Sequence, residues 1–155
     1  MTRWRVILLA LLAAVGLTIA ACGTGGEVSE PPSRAGAVAT QVVPVEGSGS
    51  YIDVNAAGLA SMLERKDFPL VNVHVPYERE IEGTDIFAPF DQIDTNLDKL
   101  PADKGARLVV YCRSGGMSSI AARTLVRLGY TDVWNLDGGM IVWEDAGYPL
   151  VNKGR

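Results

Sequence analysis

The chain has 155 residues, is 48% hydrophobic and carries a formal net charge of −4 at pH 7. That length suits one domain. The acidic balance argues against a nucleic-acid partner, because affinity for nucleic acids comes largely from lysine and arginine side chains that neutralise phosphates. The two cysteines, Cys22 and Cys112, have neighbours of very different composition, which predicts a different role for each.

The first 22 residues have the pattern of an export signal. Residues 1–5 carry two arginines, residues 6–21 carry no charge, and small residues precede Cys22. This arrangement is typical of a secretory signal peptide. The run Leu17-Thr18-Ile19-Ala20-Ala21-Cys22 resembles the lipobox of bacterial lipoproteins, which implies cleavage before Cys22 and a lipid on its sulfur. We therefore predict a lipoprotein signal peptide over residues 1–21 and an extracytoplasmic protein anchored to a bacterial membrane through Cys22.

Two alternatives to this anchor remain open. Residues 6–21 could instead form an uncleaved transmembrane helix, although this stretch falls short of the ~20 residues that span a bilayer comfortably. Cys22 could also pair with Cys112, since disulfides persist outside the cytoplasm. A lipid on Cys22 would consume its thiol and exclude that pairing.

Residues 22–50 are rich in glycine, serine, proline and alanine. Such a composition offers too little apolar surface to offset the entropy that is lost when a chain is ordered. We predict that this segment is a flexible, lipid-anchored tether. Val42, Val43 and Val45 leave one alternative, an added edge strand.

Residues 51–150 alternate between strand and helix patterns, and residues 151–155 are predicted to be a short C-terminal tail. The first predicted helix is capped by Asp53 or Asn55 and is followed by a strand over 70–75, a helical turn over 77–81 and a short helix over 96–100. After these we predict a strand over 107–111, a helix over 117–128, a strand over 131–134 and a helix over 139–145. The strand over 107–111 lacks polar alternation and should be buried on both faces. The helix after it should bury an apolar stripe of Met117, Ile120, Ala121, Thr124, Leu125 and Leu128.

Strands that are separated by helices indicate a central, mainly parallel sheet with helices on both faces, which is an α/β fold. Ligands of such sheets bind beyond the carboxyl ends of the strands. Cys112 lies at this end of its strand, so the sequence places it where ligands bind.

Cys112 lies between a β-branched run, Val109-Val110-Tyr111, and an apparent helix start. The first turn of a helix has N–H groups without intrahelical partners and a partial positive charge, and both stabilise a thiolate. Gly115 and Gly116 let the backbone curl closely around the sulfur, because neither carries a Cβ. We therefore predict a reactive nucleophile rather than a cysteine that only fills space. The predicted binding loop consists of Arg113, Ser114, Gly115, Gly116, Met117 and Ser118.

Three stretches together resemble a single-domain rhodanese. They are residues 109–115 with the helix that follows, residues 128–139, and Trp143, while residues 70–80 match more loosely. The resemblance implies a rhodanese-like domain over residues 51–150 with no cofactor and no metal.

The resemblance also implies a sulfurtransferase. Cys112 would take sulfane sulfur from a small donor such as thiosulfate or polysulfide and hold it as a persulfide. Backbone N–H groups of residues 113–118 would stabilise the negative sulfur, and a thiol or cyanide would accept it.

Several positions depart from the family's usual residues. Met117 lies where many rhodaneses have arginine, and the missing cation should weaken the binding of dianions such as thiosulfate.

Asn72 and His74 lie where aspartate and arginine are common. We interpret His74 as a hydrogen-bonded structural residue at a strand end and Asn72 as a partner of loop backbone. Arg113 is expected to attract an anionic donor, whereas Asp137, Gly138 and Gly139 are assigned only to a turn.

Other functions compete with sulfur transfer. A phosphatase or arsenate reductase of related fold needs an arginine six residues after the cysteine, where this chain has Ser118. Without that guanidinium a phosphoryl transition state loses its main bidentate partner. A further alternative is a non-catalytic rhodanese-like binding module or a thiol redox sensor at the membrane surface, since reactive thiols are also oxidised readily.

Overall fold

The structure is a computed structural model that describes residues 37–154. Its strands and helices are β1 (Thr40–Val45), β2 (Gly49–Val54), α1 (Ala56–Leu63), β3 (Leu70–Asn72), β4 (Glu80–Ile81), β5 (Ile86–Phe87), β6 (Leu108–Tyr111), α2 (Gly116–Arg127), β7 (Val133–Leu136), α3 (Gly139–Asp145) and β8 (Leu150–Val151). Two 3₁₀ segments, Phe90–Gln92 and Asp94–Lys99, lie between β5 and β6. The predicted signal peptide and Cys22 lie outside the described residues. Within residues 37–154 no helix is long and apolar enough to span a bilayer.

Six strands form one sheet in the order β1-β2-β7-β6-β3-β5, and β4 pairs with β8 in a separate antiparallel ribbon. In the six-stranded sheet β1 and β2 are antiparallel, whereas the other neighbouring strands are parallel. Asn72 lies opposite Tyr111, and Val110 lies opposite Asn135. The carboxyl ends of β3, β6 and β7 therefore meet at one edge of the sheet. The mainly parallel sheet confirms the predicted α/β class.

Strand β6 is buried along its whole length. Leu108 and Val110 belong to the core cluster on the α2 side, whereas Val109 and Tyr111 belong to the cluster that includes residues of α1 and α3. Because successive side chains of a strand alternate between its faces, the two clusters cover opposite faces of the sheet. The prediction of a strand buried on both faces is confirmed.

The three helices lie close to their predicted positions. Asn55 is the N-cap of α1, and its side-chain oxygen accepts a hydrogen bond from the N–H of Gly58 at 2.9 Å. Helix α3 has the predicted bounds, and α2 begins and ends one residue earlier than predicted. The predicted buried stripe of α2 is partly wrong, because Ile120 is 49% exposed. The buried residues of α2 are Ser118, Ala121, Ala122, Leu125 and Val126, so Ala122 and Val126 lie on the buried face in place of Ile120.

The predicted flexible tether is wrong for its last part. Thr40–Val45 is an edge strand that pairs with β2 through a tight turn at residues 46–48. Val45 is buried in the core cluster on the α2 side, and Val43 packs against that cluster. The edge-strand alternative therefore describes this segment, because these valines bury enough apolar surface to order it. Residues 22–36 of the predicted tether lie outside the described residues.

Several short elements also differ from prediction. Strand β3 ends at Asn72 rather than at residue 75, because its partner β6 ends at Tyr111. Residues 77–81 end in a strand rather than forming a helical turn, and β7 begins at Val133 rather than at residue 131.

The predicted C-terminal tail contributes to the fold. Val151 pairs with Glu80 between β8 and β4, and Lys153 Nζ lies 2.9 Å from Oε1 of the same glutamate. Glu80 is fully buried, and a buried carboxylate is stable only when it has charged or hydrogen-bonding partners. The chain after residue 150 supplies one of them, so the prediction of a mere tail is wrong for residues 151–153.

Candidate active site

Cys112 is the first residue after β6 and lies at the carboxyl edge of the sheet, as predicted. It begins a segment, residues 112–118, that we call the cysteine loop. Its thiol is free, and the residue is only 1% exposed. The N–H of Gly115 donates a hydrogen bond to Sγ at 3.1 Å, and the hydroxyl of Ser118 donates another at 3.4 Å. The sulfur therefore has two polar donors although it is enclosed.

Gly115 is the N-cap of α2 and has a φ of +89°. Glycine adopts this left-handed conformation without a steric cost, and here it aims the N–H at the sulfur. The N–H groups of Gly116, Met117 and Ser118, in the first turn of α2, have no partners inside the helix. The geometry thus supports the predicted ring of donors at the helix start.

The start of α3 holds the backbone of the cysteine loop. The N–H of Met140 donates to the carbonyl oxygen of Cys112 at 2.9 Å, and that of Ile141 donates to the carbonyl oxygen of Arg113 at 3.0 Å. A Cβ on Gly139 would lie 2.3 Å from the same oxygen of Cys112. Gly139 therefore permits the close approach on which both bonds depend. This supporting role goes beyond the predicted turn, and the glycine pair after β7 was its only sequence signal.

A carboxylate lies beside the cysteine loop. Oε2 of Glu78 is 3.3 Å from Nε of Arg113, and Oε1 of Glu78 is 3.5 Å from Nε2 of His74. The side chains of Glu78 and Arg113 are about half exposed, whereas that of His74 is 8% exposed. One carboxylate thus lies between a guanidinium and an imidazole. Sequence reasoning did not find Glu78, because only the fold brings it to Arg113.

The structure confirms the predicted role of Asn72 but not that of His74. The side chain of Asn72 accepts a hydrogen bond from the N–H of His74 and donates one to the carbonyl of Arg79, both at 3.0 Å. Its predicted role as a partner of loop backbone is confirmed. The ring nitrogens of His74 make no hydrogen bond within the described part of the chain, so the prediction of a hydrogen-bonded imidazole is wrong. Its Nε2 lies 3.5 Å from Oε1 of Glu78, which is longer than a normal hydrogen bond.

The rest of the cysteine loop carries little charge. Met117 packs against the core cluster on the α2 side, while Ser114 and Gly116 are exposed. Arg113 is the one charged residue of the segment. Among residues 37–154, no group of three His, Cys, Asp or Glu side chains is placed to hold a metal ion.

The sequence model of the rhodanese-like domain family matches residues 55–146. The chain belongs to this family. It is 31% identical over 102 residues to a sulfurtransferase from Allochromatium vinosum, a match that covers 64% of this chain and 94% of that protein. It is 48% identical over 48 residues to the thiosulfate sulfurtransferase GlpE of Pseudomonas fluorescens, but that match covers only 31% of this chain and 43% of the relative.

A solved structure shows the same fold. The rhodanese-related protein from Thermoplasma volcanium is 26% identical, and the match has a TM-score of 0.55 over 64% of this chain and 96% of that one. The predicted rhodanese-like fold is therefore confirmed.

In this rhodanese-like domain the hydroxyl of Ser118 has two acceptors within reach. Besides Sγ of Cys112, it lies 3.2 Å from the carbonyl oxygen of Gly115. A hydroxyl has one hydrogen to donate, so the two acceptors compete for it. A negatively charged sulfur competes better than a neutral thiol, because charge-assisted hydrogen bonds are the stronger ones. The arrangement can thus respond to charge on the sulfur.

Proposed function

We propose that this protein is an extracytoplasmic sulfurtransferase that carries sulfane sulfur as a persulfide on Cys112 and passes it to a thiol or cyanide. The observation that carries the proposal is the pair of hydrogen bonds donated to Sγ by Gly115 and Ser118. A cysteine that only fills a core needs no such donors, whereas negative sulfur in an enclosed position does. The sulfurtransferase relatives support the same conclusion.

The transfer runs in two steps. The thiolate of Cys112 attacks the outer sulfur of the donor, a new S–S bond forms at Sγ, and the donor's own bond to that sulfur breaks. The leaving group takes the bonding electrons and is sulfite if the donor is thiosulfate, or a thiolate if the donor is an organic persulfide. The acceptor then attacks the outer sulfur and the thiolate of Cys112 returns. Covalent storage divides one difficult transfer into two easier ones.

The stored sulfur is negative, and the residues around it suit that charge. The N–H of Gly115 and the first turn of α2 present donors at a helix start, where the partial positive charge of the helix also acts. Arg113, Ser114 and Gly116 are exposed on the cysteine loop. A donor that approaches the enclosed thiol would contact these exposed residues first.

The location outside the cytoplasm is part of the proposal. The charge and hydropathy pattern of residues 1–22 supports a cleaved signal and a lipid on Cys22. Mass spectrometry of the protein isolated from bacterial membranes tests this, and the expected N-terminal residue is a lipid-modified Cys22. An intact Met1 or a free thiol on Cys22 would contradict the anchor.

Mass spectrometry of the intact protein also tests the chemistry. After incubation with thiosulfate or polysulfide, the protein should be heavier by one sulfur, and cyanide or a thiol should remove that sulfur. Cys112→Ala should gain none. Ser118→Ala keeps the thiol but loses one donor to it, and we expect the sulfur-loading rate to fall about tenfold, as a hydrogen bond to a charged group implies.

A neighbouring hydroxyl provides the matched control. Ser119 donates to the carbonyl of Gly116 rather than to the sulfur, so Ser119→Ala should leave the loading rate unchanged. If no donor adds sulfur and peroxide instead yields a sulfenic acid on Cys112, the protein is a thiol redox sensor. Hydrolysis of a phosphate ester that requires Cys112 would favour a phosphatase, although the position where such enzymes need arginine holds the buried Ser118.

A further inference from the structure

We propose that Glu78 sets the donor preference of Cys112: by pairing with Arg113 it lowers the use of thiosulfate relative to organic persulfides. This inference rests on the proposed sulfurtransferase function and names the donor class of the same site. Glu78 is then a specificity-determining residue that acts through Arg113.

The charge of the cysteine loop is offset by Glu78. Arg113 is the only charged residue of that loop, and Met117 contributes none. The carboxylate of Glu78 lies 3.3 Å from the guanidinium, so the pair has no net charge. A dianion that approaches Cys112 therefore meets a guanidinium whose positive charge is already offset by a carboxylate.

The segment that carries Glu78 is held at both ends. Asn72 bonds both ends of the segment 74–79 through the backbone of His74 and Arg79. Arg79 also forms a two-pronged ion pair with Glu144 of α3, at 2.7 and 2.8 Å. The imidazole of His74 faces the other oxygen of Glu78. The backbone on both sides of Glu78 is therefore held in place, and its carboxylate faces the side chains of Arg113 and His74.

The two donor classes differ in charge. Thiosulfate carries two negative charges, and when the Cys112 thiolate takes its outer sulfur the leaving sulfite keeps both. An organic persulfide carries at most one negative charge at its reacting end. Loss of its outer sulfur to Cys112 breaks its S–S bond and releases a thiolate. Loss of net positive charge near Cys112 therefore weakens the attraction of thiosulfate more than that of an organic persulfide, because Coulomb energy scales with the product of the charges.

The experiment measures the sulfur-loading step alone. Wild type, Glu78→Gln, Arg113→Gln and the double variant are mixed with thiosulfate or with cysteamine persulfide, whose ammonium group offsets its persulfide charge. Quenched samples are weighed as intact proteins to obtain second-order rate constants. All substituted side chains are substantially exposed, so the variants should fold.

A matched control removes the same charge from the opposite end of the sheet. Glu82 is exposed and lies in the turn between β4 and β5, where the N–H of Asp85 bonds to the carbonyl of Leu70 at the start of β3. Glu82→Gln should change neither rate constant.

We expect Glu78→Gln to raise the rate constant for thiosulfate about fivefold at low salt and to leave that for cysteamine persulfide within about twofold. The gain with thiosulfate should shrink when salt is added, and it should be smaller when Arg113 is already glutamine. Equal changes for both donors, no change for thiosulfate, or an undiminished gain in the Arg113→Gln background would overturn the proposal. If wild type takes sulfur from neither donor, the sulfurtransferase function itself fails and this inference fails with it.

Discussion

The contact between α3 and the cysteine loop provides the sharpest test of how the site is built. Gly139 has a φ of +60°, and an added Cβ would lie 2.3 Å from the carbonyl oxygen of Cys112 and 2.8 Å from that of Arg113. Both neighbours are backbone atoms, which cannot swing aside as a flexible side chain can. Gly139→Ala must therefore displace either the loop or the start of α3.

The size of the effect follows from two contributions. The left-handed conformation costs an alanine about 1 kcal/mol. Separating the two segments also breaks the bonds from Met140 and Ile141, each of which contributes about 1 kcal/mol net and more if its groups stay buried without a partner. We expect a loss of about 3 kcal/mol in the free energy of unfolding, a large part of the stability of an ordinary domain.

The chain offers a control for the conformational contribution. Gly147 has a φ of +86°, and an added Cβ there has no heavy atom within 4 Å. Gly147→Ala should therefore cost only about 1 kcal/mol. Urea unfolding measures both variants, and the alkylation rate of Cys112 should change only in Gly139→Ala. Equal losses of stability in the two variants would refute the argument that contact with the cysteine loop requires a glycine.

Three further predictions concern charge and burial. Met117→Arg should raise the rate of sulfur loading from thiosulfate about fivefold, because it adds a cation to the cysteine loop. The rate with polysulfide should rise less, and equal gains for the two donors would contradict the prediction. Lys153→Met should lower the free energy of unfolding in urea by about 3 kcal/mol, since it removes a charged partner of the buried Glu80, and an unchanged midpoint would contradict it. Burial raises the pKa of Tyr111, so the folded state retains that proton and stability falls as pH rises through the ordinary tyrosine value of about 10. Tyr111→Phe should lessen this alkaline loss but cost about 1–3 kcal/mol at pH 7, because the buried N–H of Ile81 loses its acceptor; parallel pH curves would refute it.

Local patterns were enough to predict the fold class and the place of the nucleophile. The run of buried residues in β6, the helical period of α2 and the glycines at helix starts are properties of short segments. Each depends on neighbours within a few residues, which the sequence displays directly. The same reasoning did not distinguish Ile120 from Ala122 on the buried face of α2, because that choice depends on how the helix packs against the sheet.

The pairing of the edge strand was harder to predict, because it depends on residues outside the segment itself. Residues 40–45 belong to a longer segment whose overall composition suits flexibility, yet they form β1, which pairs with the edge of β2 and places Val45 in the core. The pairing of Lys153 with Glu80 is similar, since 73 positions separate the two residues in the chain and nothing local links them.

The amino-acid sequence by itself determined an α/β domain with a thiol at a helix start, because strand and helix periods and glycine conformations are local properties. Tertiary structure alone decided which groups from distant segments contact the cysteine loop. Strand register brings Glu78 and His74 to Arg113, and the packing of α3 brings Met140 and Gly139 to the loop carbonyls. Such contacts join segments that are distant in the chain, so they are set by the packing of the whole sheet.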